Sequence, residues 1–552
     1  MRKTKILVTL GPSAESEEVL EQLLTAGMNV ARLNFSHGDY LEHGTRVERI
    51  KKIREKIGRP IALMLDTKGP EIRAGNVQND SLILETGREI ILTSEDVEGT
   101  SERLTIRYDQ LAKAVKPGGL ILLDDGLLQF EVIEVLNDKE VRCFIQSGGR
   151  IKSRRNVHLP KLHLELPNPT PKDIADLKFA AANQFDFIAV SFAESAQTVS
   201  KVRQILDENS GSGIRIIAKI ENYAGLDNFD EILASADGIM VARGDLGVEL
   251  PAEDVPVVQK ELIRKCYMAG KPVITATQML HSMVENPRPT RAEASDVANA
   301  IYDFSSAVML SGETSVGKFP TQCVEFMTKA AERAEQAIDY RKIYFSNPAH
   351  RENLEDTTFA ITNAAVTTAY NVGAKAIITV TESGHTARML SRLRPAIPII
   401  ALTHEPQVYH QLSINWGVLP VSAPHFRTLD ELHHEVIKLA KETGLVKNGD
   451  TVILVAGIPV GKTGATNMIK VEVVDGVTRS IKAGEPPKFV KSQSLKEKFA
   501  KSEQEIIPIS KNDRNSIPFP RHSQVTLDAS FIDRSNEFDI DKNLLFRPHN
   551  YR

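Results

Sequence analysis

This chain of 552 residues has few cysteines, no long apolar runs and a small net charge. Its three cysteines, Cys143, Cys266 and Cys323, are far apart and form no CxxC pair. That count and spacing argue against a disulfide framework and a zinc site, and they fit a reducing compartment. No apolar run approaches the ~18 residues of a membrane span, and no cleavable apolar segment follows Met1. We therefore expect a cytoplasmic protein without a membrane partner.

The charges of the chain nearly cancel. There are 68 Lys and Arg residues against 72 Asp and Glu residues, so the formal net charge is −4. A chain of this kind has no global basic field to hold nucleic acid, and we predict no nucleic-acid partner. At ~150 residues per domain, the length predicts about three or four domains.

Short runs that are apolar at successive positions recur between residues 6 and 312, with helix-like stretches between most of them. The eight runs are Ile6–Leu10, Asn29–Phe35, Ile61–Asp66, Phe187–Phe192, Ile214–Ile220, Gly238–Gly244, Val273–Gln278 and Ala307–Gly312. Such runs are typical of parallel strands buried on both faces. Eight strand–helix units favour a (β/α)8 TIM barrel in the α/β class, although a doubly wound open sheet gives similar local signals.

Polar side chains stand at the end of nearly every run. They include Arg32, Asn34, Ser36, Asp66, Thr67, Ser191, Lys219, Glu221, Arg243, Asp245, Thr277 and Glu313. Barrel enzymes build their active sites at the carboxyl ends of the strands. This distribution therefore favours the barrel over the open sheet and predicts that these side chains share one cavity.

The periodicity of the sequence changes outside the barrel segments, which we assign to 1–67 and 168–345. Residues 68–167 alternate with a period of two between Gly, Asp and Asn turns, which predicts a small inserted β-domain. Strand-like runs alternate with helical patterns over 355–476 and predict a second, C-terminal α/β domain. Apolar residues are scattered singly over 480–552, where we predict a poorly ordered tail.

Three charged residues on neighbouring strand ends suggest a site for a divalent metal. Lys219 and Glu221 share one face of their strand, and Asp245 follows the next strand. Two carboxylates so placed can hold Mg²⁺ together with waters and a phosphate-bearing ligand, while Lys219 would stabilise a transferring phosphoryl group. From these residues alone, a surface ion pair at a strand end is an equally good interpretation.

Oxygen donors gather at two other strand ends, where Asn34 and Ser36 follow one strand and Asp66 and Thr67 follow the next. With one carboxylate among them, these four residues suit a monovalent cation better than a divalent one. Ordinary capping and turn formation is the alternative for Asn34 and Ser36. That alternative is the better one from these residues alone.

Several further motifs suggest anion binding. Arg32 and Arg73 are candidate phosphate clamps, with surface salt bridges as the alternative. The glycines of Arg243-Gly-Asp-Leu-Gly247 would let backbone N–H groups approach an anion, although such a turn is more often only a turn.

The segment 457–463 lacks the spacing of a nucleotide P-loop, and we predict a strand–loop–strand hairpin there. His433 and its neighbour His434 diverge by about 100° on a helix, so we predict a solvated face rather than a metal pair.

Seven separated motifs together resemble those of the pyruvate kinase family, and they occur in that family's order. The motifs are Asn34-Phe-Ser-His37-Gly38, Asp66-Thr-Lys-Gly-Pro-Glu-Ile-Arg73, Lys219-Ile-Glu-Asn222, Gly244-Asp-Leu-Gly247, Ala276-Thr-Gln-Met-Leu280, Pro289-Thr-Arg-Ala-Glu293 and Met309-Leu-Ser-Gly-Glu-Thr314. The resemblance covers about residues 1–476. It implies the same architecture, with a catalytic barrel, an inserted small β-barrel domain that acts as a lid and a C-terminal α/β effector domain.

The resemblance implies phosphoryl transfer from phosphoenolpyruvate to ADP, giving pyruvate and ATP in glycolysis. The catalytic residues it implies are Lys219, Arg32, Thr277 and Arg73. The substrate-binding residues are Arg32, Gly244, Asp245 and Thr277, and the nucleotide-binding residues are Asn34, His37, Arg73 and Arg155. The metal ligands are Glu221 and Asp245 for Mg²⁺ and Asn34, Ser36, Asp66 and Thr67 for K⁺. The family also implies a homotetramer.

Two regions depart from the family's pattern. The family usually reads Lys-Gly-Val-Asn-Leu-Pro-Gly where this chain has Arg155-Asn-Val-His-Leu-Pro-Lys161, and the departures at Asn156, His158 and Lys161 predict altered lid closure. The loop 381–386 resembles the family's phosphate loop, with His385 where Arg is frequent. It predicts a sugar-phosphate or nucleotide effector whose phosphate meets Thr381, Ser383 and Thr386.

Two other functions remain open at this point. The hinge departures and the unusual tail suit a catalytically weak regulatory relative that binds phosphorylated metabolites. A different barrel enzyme that acts on phosphoenolpyruvate-like substrates through Mg²⁺ enolate chemistry would release phosphate without forming ATP. Retention of Lys219, Glu221, Asp245 and Thr277 favours an active pyruvate kinase over both.

Overall fold

The computed structural model describes residues 1–475, apart from 163, 165, 348–355, 427 and 459–465. The tail predicted over 480–552 lies outside the described residues. The strands, in chain order, are β1 Lys5–Thr9, β2 Val30–Asn34, β3 Ala62–Asp66, β4 Ile72–Arg73, β5 Ser81–Leu84, β6 Glu89–Thr93, β7 Arg103–Thr105, β8 Leu120–Leu123, β9 Leu128–Val135, β10 Glu140–Ser147, β11 Gly149–Lys152, β12 Asn156–His158, β13 Phe187–Val190, β14 Arg215–Ile220, β15 Gly238–Ala242, β16 Val273–Ala276, β17 Ala307–Leu310, β18 Ala376–Val380, β19 Ile399–Thr403, β20 Val418–Ser422, β21 Thr451–Gly457 and β22 Thr466–Val473.

Helices alternate with the strands over most of the chain. They are α1 Glu17–Ala26, α2 Tyr40–Ile57, α3 Leu111–Ala114, α4 Pro171–Ala182, α5 Ala196–Glu208, α6 Tyr223–Asp227, α7 Phe229–Ser235, α8 Arg243–Glu249, α9 Val255–Ala269, α10 Arg291–Tyr302, α11 Gly312–Ser315, α12 Pro320–Ala337, α13 Tyr340–Ser346, α14 Thr357–Val372, α15 His385–Arg392, α16 Pro406–Gln411 and α17 Leu429–Glu442. Within the described part of the chain, no helix is long and apolar enough to cross a membrane.

Eight parallel strands close into a barrel in the order β1-β17-β16-β15-β14-β13-β3-β2. The prediction of a TIM barrel is confirmed, and closure of the sheet rules out the doubly wound alternative. Inward-facing side chains such as Leu7, Met64 and Met309 fill the interior, and a larger apolar layer packs between the strands and the outer helices. Because all eight strands run in one direction, their carboxyl ends meet at one mouth of the barrel.

The ends of the barrel helices follow from local sequence signals. The Ser16 side chain accepts a hydrogen bond from the N–H of Val19 at the start of α1, and Gly27 ends that helix with a φ of 125°. Thr290 and Glu293 form the predicted capping box at the start of α10. Such caps satisfy backbone groups that the helix itself leaves without partners.

The strands between β3 and β13 form two separate sheets. One has seven strands in the order β4-β12-β8-β9-β10-β6-β7, and β11 pairs with β5 in the other. Their buried side chains, among them Phe130, Cys143 and Ile145, form a core of their own. An insertion after the third barrel strand places this domain beside the barrel mouth.

The C-terminal sheet has the order β20-β19-β18-β21-β22. The first four strands are parallel and β22 is antiparallel to β21, so these two strands pair as the predicted hairpin requires. The loop between them at 459–465 lies outside the described residues. Apolar clusters lie on both faces of the sheet. Helices α14 and α15 belong to one side and α17 to the other, so the domain is a three-layer α/β unit.

Asp186 is a buried carboxyl group that connects two barrel strands. It directly precedes β13 and accepts a 2.7 Å hydrogen bond from the N–H of Leu63 in β3. Arg54 Nη1 lies 3.6 Å from the same carboxylate oxygen. Burial nevertheless raises the pKa of Asp186 to about 7, because it outweighs the opposing effect of Arg54.

We expect Asp186→Asn to flatten the pH dependence of stability. The folded protein keeps the Asp186 proton up to about pH 7, whereas the unfolded chain loses it near the ordinary value of 3.8. Asp186 therefore makes the free energy of unfolding fall as pH rises through this window, by at most ~1.4 kcal/mol per pH unit. Urea denaturation from pH 4.5 to 8 should show that the variant loses this decline. The exposed-site control Asp230→Asn should retain it, and parallel curves for Asp186→Asn and the native protein would contradict the assignment.

Candidate functional site

A cavity of about 570 Å³ opens at the mouth of the barrel. Its walls come from barrel strand ends on one side and from the inserted domain on the other. Residues singled out in the sequence that line it include Arg32, Asn34, Ser36, His37, Arg73, Arg155, Asn156, His158, Ser191, Lys219, Glu221 and Asp245. The cavity therefore joins side chains that lie as much as 213 residues apart in the sequence.

Asp66 is completely buried and links two cations at the base of this cavity. Arg32 Nε donates to Asp66 Oδ2 over 2.7 Å, and Lys219 Nζ donates to Asp66 Oδ1 over 3.0 Å. Burial alone would raise the pKa of Asp66, but the charges of Arg32 and Lys219 outweigh burial and hold it below its ordinary value. The carboxylate is thus ionised and fixes both cations in place.

Lys219 is held as a cation although it is buried. Its Nζ lies 2.9 Å from Glu221 Oε1, in addition to its contact with Asp66, and it donates to Ser191 Oγ over 2.7 Å. Burial lowers its pKa, but the adjacent carboxylates of Asp66 and Glu221 outweigh burial and raise the pKa above its ordinary value. Lys219 therefore presents a permanent, oriented positive charge.

Ser191, a polar residue at a strand end in the sequence, has a structural role in the cavity that its sequence position alone did not predict. Its hydroxyl accepts from Lys219 and donates to the carbonyl of Thr67 over 2.7 Å. The next residue, Phe192, has a φ of 50°, and its N–H donates to Glu221 Oε2 over 2.6 Å. These contacts orient Lys219 and Glu221. The signal available in the sequence was only that Ser191 ends a strand.

Glu221 and Asp245 are two carboxylates that face the same cavity from adjacent barrel units. Burial raises the pKa of Glu221 to about 7, with Asp245 adding to the shift and Lys219 opposing it. The single positive charge of Lys219 does not balance the two negative charges of Glu221 and Asp245. A divalent cation would supply the missing charge, and oxygen-only ligands are those that Mg²⁺ prefers, so the residues fit such an ion.

The four candidate ligands for a monovalent cation come from the ends of β2 and β3. Asn34 and Asp66 are direct partners in the sheet, and Asn34 Oδ1 accepts a hydrogen bond from the N–H of Ser36 over 3.1 Å. Asn34 and Ser36 line the cavity, whereas Asp66 and Thr67 are buried. This set offers only oxygen atoms, and the one carboxylate is already paired with two cations, which fits an ion of low charge.

Thr277 adopts an unusual backbone conformation directly after β16. Its φ is 67°, a region that β-branched residues rarely occupy and that costs ~1–3 kcal/mol. Its hydroxyl oxygen accepts a 2.7 Å hydrogen bond from the N–H of Gly244 and donates to the carbonyl of Ala276 over 2.7 Å. Strain held in place by such contacts at a barrel strand end points to a functional role.

Two arginines that the inserted domain contributes to the cavity are held by carboxylates. Arg73 is half-exposed, and its Nη2 donates to Glu71 Oε2 over 2.6 Å. Arg155 Nε lies 3.3 Å from Asp124 Oδ1. Both guanidinium groups are therefore held by carboxylates while they line the cavity, and the exposed His37 lies on the same wall.

The substitutions in the hinge segment form contacts with the barrel. His158, at the end of β12, is buried, with its Nδ1 3.7 Å from Glu249 Oε1 in α8. Lys161 has a φ of 63°, a conformation that favours glycine, and its Nζ lies 5.5 Å from the Tyr223 ring centroid. Asn156, in contrast, pairs regularly with Arg73 between β12 and β4. Lys161 and Asn156 both stand where the family usually has glycine. The backbone is therefore strained at Lys161 but not at Asn156.

Comparison with known proteins gives a consistent result. Residues 1–324 match the family model described as pyruvate kinase, barrel domain, and 359–472 match pyruvate kinase, alpha/beta domain. The chain is 50% identical over 477 residues to a pyruvate kinase of Staphylococcus epidermidis, covering 86% of this chain and 81% of that protein. It is 49% identical over 476 residues to a pyruvate kinase of Geobacillus stearothermophilus, covering 86% and 80%. A crystal structure of a pyruvate kinase from Cryptosporidium parvum superposes with a TM-score of 0.82 at 41% identity, covering 86% of this chain and 96% of that one.

We expect protons and divalent cations to compete at Glu221. Because the pKa of Glu221 is raised to about 7, lowering the pH below 7 protonates the carboxyl group and weakens the binding of Mn²⁺, a spectroscopic substitute for Mg²⁺. The affinity should fall by up to ~10-fold per pH unit below 7, and electron paramagnetic resonance measures the free Mn²⁺.

The variant Glu221→Gln should bind Mn²⁺ weakly at every pH and lose this pH dependence. The surface control Glu285→Gln, whose carboxylate pairs with Lys318 and does not line the cavity, should behave like the native protein. Native-like Mn²⁺ affinity in Glu221→Gln would contradict the metal assignment.

Proposed function

This chain belongs to the pyruvate kinase family and converts phosphoenolpyruvate and ADP to pyruvate and ATP, and we propose that the cavity at the barrel mouth is where this transfer occurs. The observation that carries the proposal is the buried cation of Lys219, fixed between Asp66 and Glu221 and facing the cavity. Two multiply charged anions must meet for the transfer to occur. A fixed positive charge lowers the cost of bringing them together and stabilises the charge that develops on the transferring group.

Arg32 would bind the phosphate of phosphoenolpyruvate. Its Nε is held by Asp66 and its Nη1 donates to Thr9 Oγ1 over 2.9 Å, so the guanidinium group is fixed on the cavity wall. A planar guanidinium group matches the oxygen atoms of a phosphate. Preorganisation of this kind reduces the entropy lost when the substrate binds.

Gly244, Asp245 and Thr277 would hold the carboxylate of phosphoenolpyruvate at the opposite strand ends. The backbone N–H of Gly244 is oriented by its hydrogen bond to Thr277 Oγ1. When the phosphoryl group leaves, the remaining enolate takes up a proton at carbon to become pyruvate. Thr277 would lie near the groups that deliver this proton, and the strained backbone after β16 would position its hydroxyl.

Glu221 and Asp245 would hold Mg²⁺, and Asn34, Ser36, Asp66 and Thr67 would hold K⁺. When bound, these cations would neutralise negative charge on the phosphoryl oxygens and on the substrates. The role of the protein is to orient the carboxylates, and at Glu221 the contacts with Lys219 and the N–H of Phe192 oppose the rise in pKa that burial causes.

The nucleotide would lie against the wall formed by the inserted domain, where Arg73, Arg155, His37 and Asn34 are available. The contacts of His158 and Lys161 with α8 and Tyr223 would favour approach of this domain to the barrel. In the C-terminal domain, Thr381, Ser383 and Thr386 lie between β18 and the first turn of α15. A sugar phosphate or nucleotide would bind there as an effector, and we propose a cytoplasmic homotetramer.

The regulatory alternative is not favoured. It rested on the hinge departures and the tail, yet the hinge segment keeps a regular strand at Asn156 and gains contacts with the barrel at His158 and Lys161. The buried network of Asp66, Lys219 and Glu221 is complete. Binding of phosphorylated metabolites alone does not require three charged side chains to be desolvated, which is unfavourable in free energy.

We expect Lys219→Met to lower kcat ~10²–10³-fold and to change KM far less, because its charge acts mainly on the transferring group. Coupled measurement of pyruvate formation with Mg²⁺ and K⁺ checks this. Lys265→Met, which removes a lysine of α9 that pairs with Asp230 of α7, should leave both constants unchanged. Native turnover in Lys219→Met would refute the proposal.

We expect activity to depend on a small monovalent cation. Replacing K⁺ with tetramethylammonium should lower turnover, and Ser36→Ala should raise the K⁺ concentration needed for half-maximal activity. Ser195→Ala, which removes only the cap of α5, is the matched control. Equal activity in the two salts would show that Asn34, Ser36, Asp66 and Thr67 do not form a functional cation site.

A further inference from the structure

Three neighbouring strands of the C-terminal sheet deliver metal-binding side chains to the same edge. Glu382 follows β18 by two residues, His404 directly follows β19, and His425 follows β20 by three residues. Because β19 lies between β18 and β20 and all three strands are parallel, their carboxyl ends are side by side. In open α/β sheets this edge is where ligands bind.

The distances among these side chains are short. One ligand atom from each of Glu382, His404 and His425 lies within 4.8 Å of the other two. His404 Nε2 is 3.5 Å from Glu382 Oε2 and 3.0 Å from Glu405 Oε1, and the rings of His404 and His425 have centroids 4.7 Å apart. Two imidazoles and the Glu382 carboxylate therefore lie close together, and the Glu405 carboxylate approaches His404 from the same stretch of chain.

Two carboxylates compete for one ring nitrogen of His404. His404 Nε2 carries at most one proton, yet the carboxylates of Glu382 and Glu405 both approach it. Two ligands of a tetrahedral ion with bonds of ~2.0 Å lie ~3.3 Å apart, which is close to both of these separations. The longest separation in the cluster, 4.8 Å, would have to shorten. His425 is exposed and can move to achieve this.

We propose that Glu382, His404 and His425, with Glu405 as a fourth ligand, form a site for a divalent transition metal of the zinc class. Imidazole nitrogen selects Zn²⁺, Co²⁺, Ni²⁺ or Cu²⁺ over Mg²⁺, whereas the barrel site offers oxygen alone. The two sites therefore differ in the metal they prefer. A metal in the C-terminal site would link the carboxyl ends of β18, β19 and β20, and its ligand Glu382 belongs to the loop 381–386.

The scarcity and spacing of cysteine excluded a cysteine-based zinc site, but not one built from histidine. The proposed ligands are 22 and 21 residues apart, which matches no short motif, and only the sheet order brings them together. His433, the histidine that the sequence analysis did consider for a metal, instead lies 2.9 Å from Glu472 and close to Lys470.

Zinc binding to the full chain tests this proposal. The protein is kept in excess Mg²⁺, which occupies the barrel site, and Zn²⁺ is titrated in competition with a chromophoric chelator. The native protein should retain one Zn²⁺ per chain that Mg²⁺ does not displace. Co²⁺ in its place should give the visible absorption bands of a four-coordinate nitrogen and oxygen site.

Matched variants decide where that ion binds. His404→Gln and His425→Gln should each weaken Zn²⁺ binding by at least ~10–100-fold, the loss that even an outer-shell change causes. His433→Gln, in the same domain, should bind Zn²⁺ like the native protein. Because His425 is exposed, its replacement leaves the fold intact, and circular dichroism and pyruvate formation verify this for each variant.

Two results would overturn the proposal. One is a native protein that retains no Zn²⁺ in excess Mg²⁺, and the other is native-like Zn²⁺ affinity in both His404→Gln and His425→Gln. Neither result depends on the assignment of the barrel site, since the readout is bound zinc and not turnover.

Discussion

Four alternating charges, Arg32, Asp66, Lys219 and Glu221, are in contact one after another at the carboxyl ends of β2, β3 and β14. All four side chains are almost fully buried. Burial of any one alone would cost several kcal/mol, so each needs its neighbours. The network forms only because the closed barrel brings these strand ends together. The contacts within the site therefore depend on the strand order of the barrel.

The network also explains how charge is distributed in the cavity. Asp66 is fully engaged by two cations, so its negative charge is balanced within the protein. Glu221 has only a share of Lys219, and Asp245 adds a further negative charge, so this end of the cavity favours a divalent cation. Arg32, at the other end, favours a phosphate. The cavity is thus polarised before substrate arrives, which is the preorganisation that phosphoryl transfer requires.

Much of the barrel could be predicted from the sequence, because each buried strand is a short apolar run with a polar residue at its end. All eight strands lie where they were predicted, within one or two residues at most ends. The strands β4, β7, β11 and β12 of the inserted domain were not predicted individually, since segments of two to four residues carry too little periodicity to stand out. They form only because tertiary pairing stabilises them.

The candidate site was predictable in its residue types but not in its contacts. The alternation of Lys219 and Glu221 placed both on one face, yet their connection through Asp66 and Ser191 depends on strand order. Positive φ at Phe192 and Thr277 has no sequence signal, since neither residue favours that conformation. The cluster of Glu382, His404 and His425 is likewise a product of sheet order.

The central claim is that the buried charge network positions Glu221 and Asp245 to hold a divalent cation beside Lys219. Anomalous scattering from crystals grown with Mn²⁺ and phosphoenolpyruvate tests it most directly. The account predicts a peak in the barrel cavity, about 2.0–2.3 Å from carboxylate oxygens of both Glu221 and Asp245. A cavity without such a peak, or an ion bound by neither residue, would contradict it.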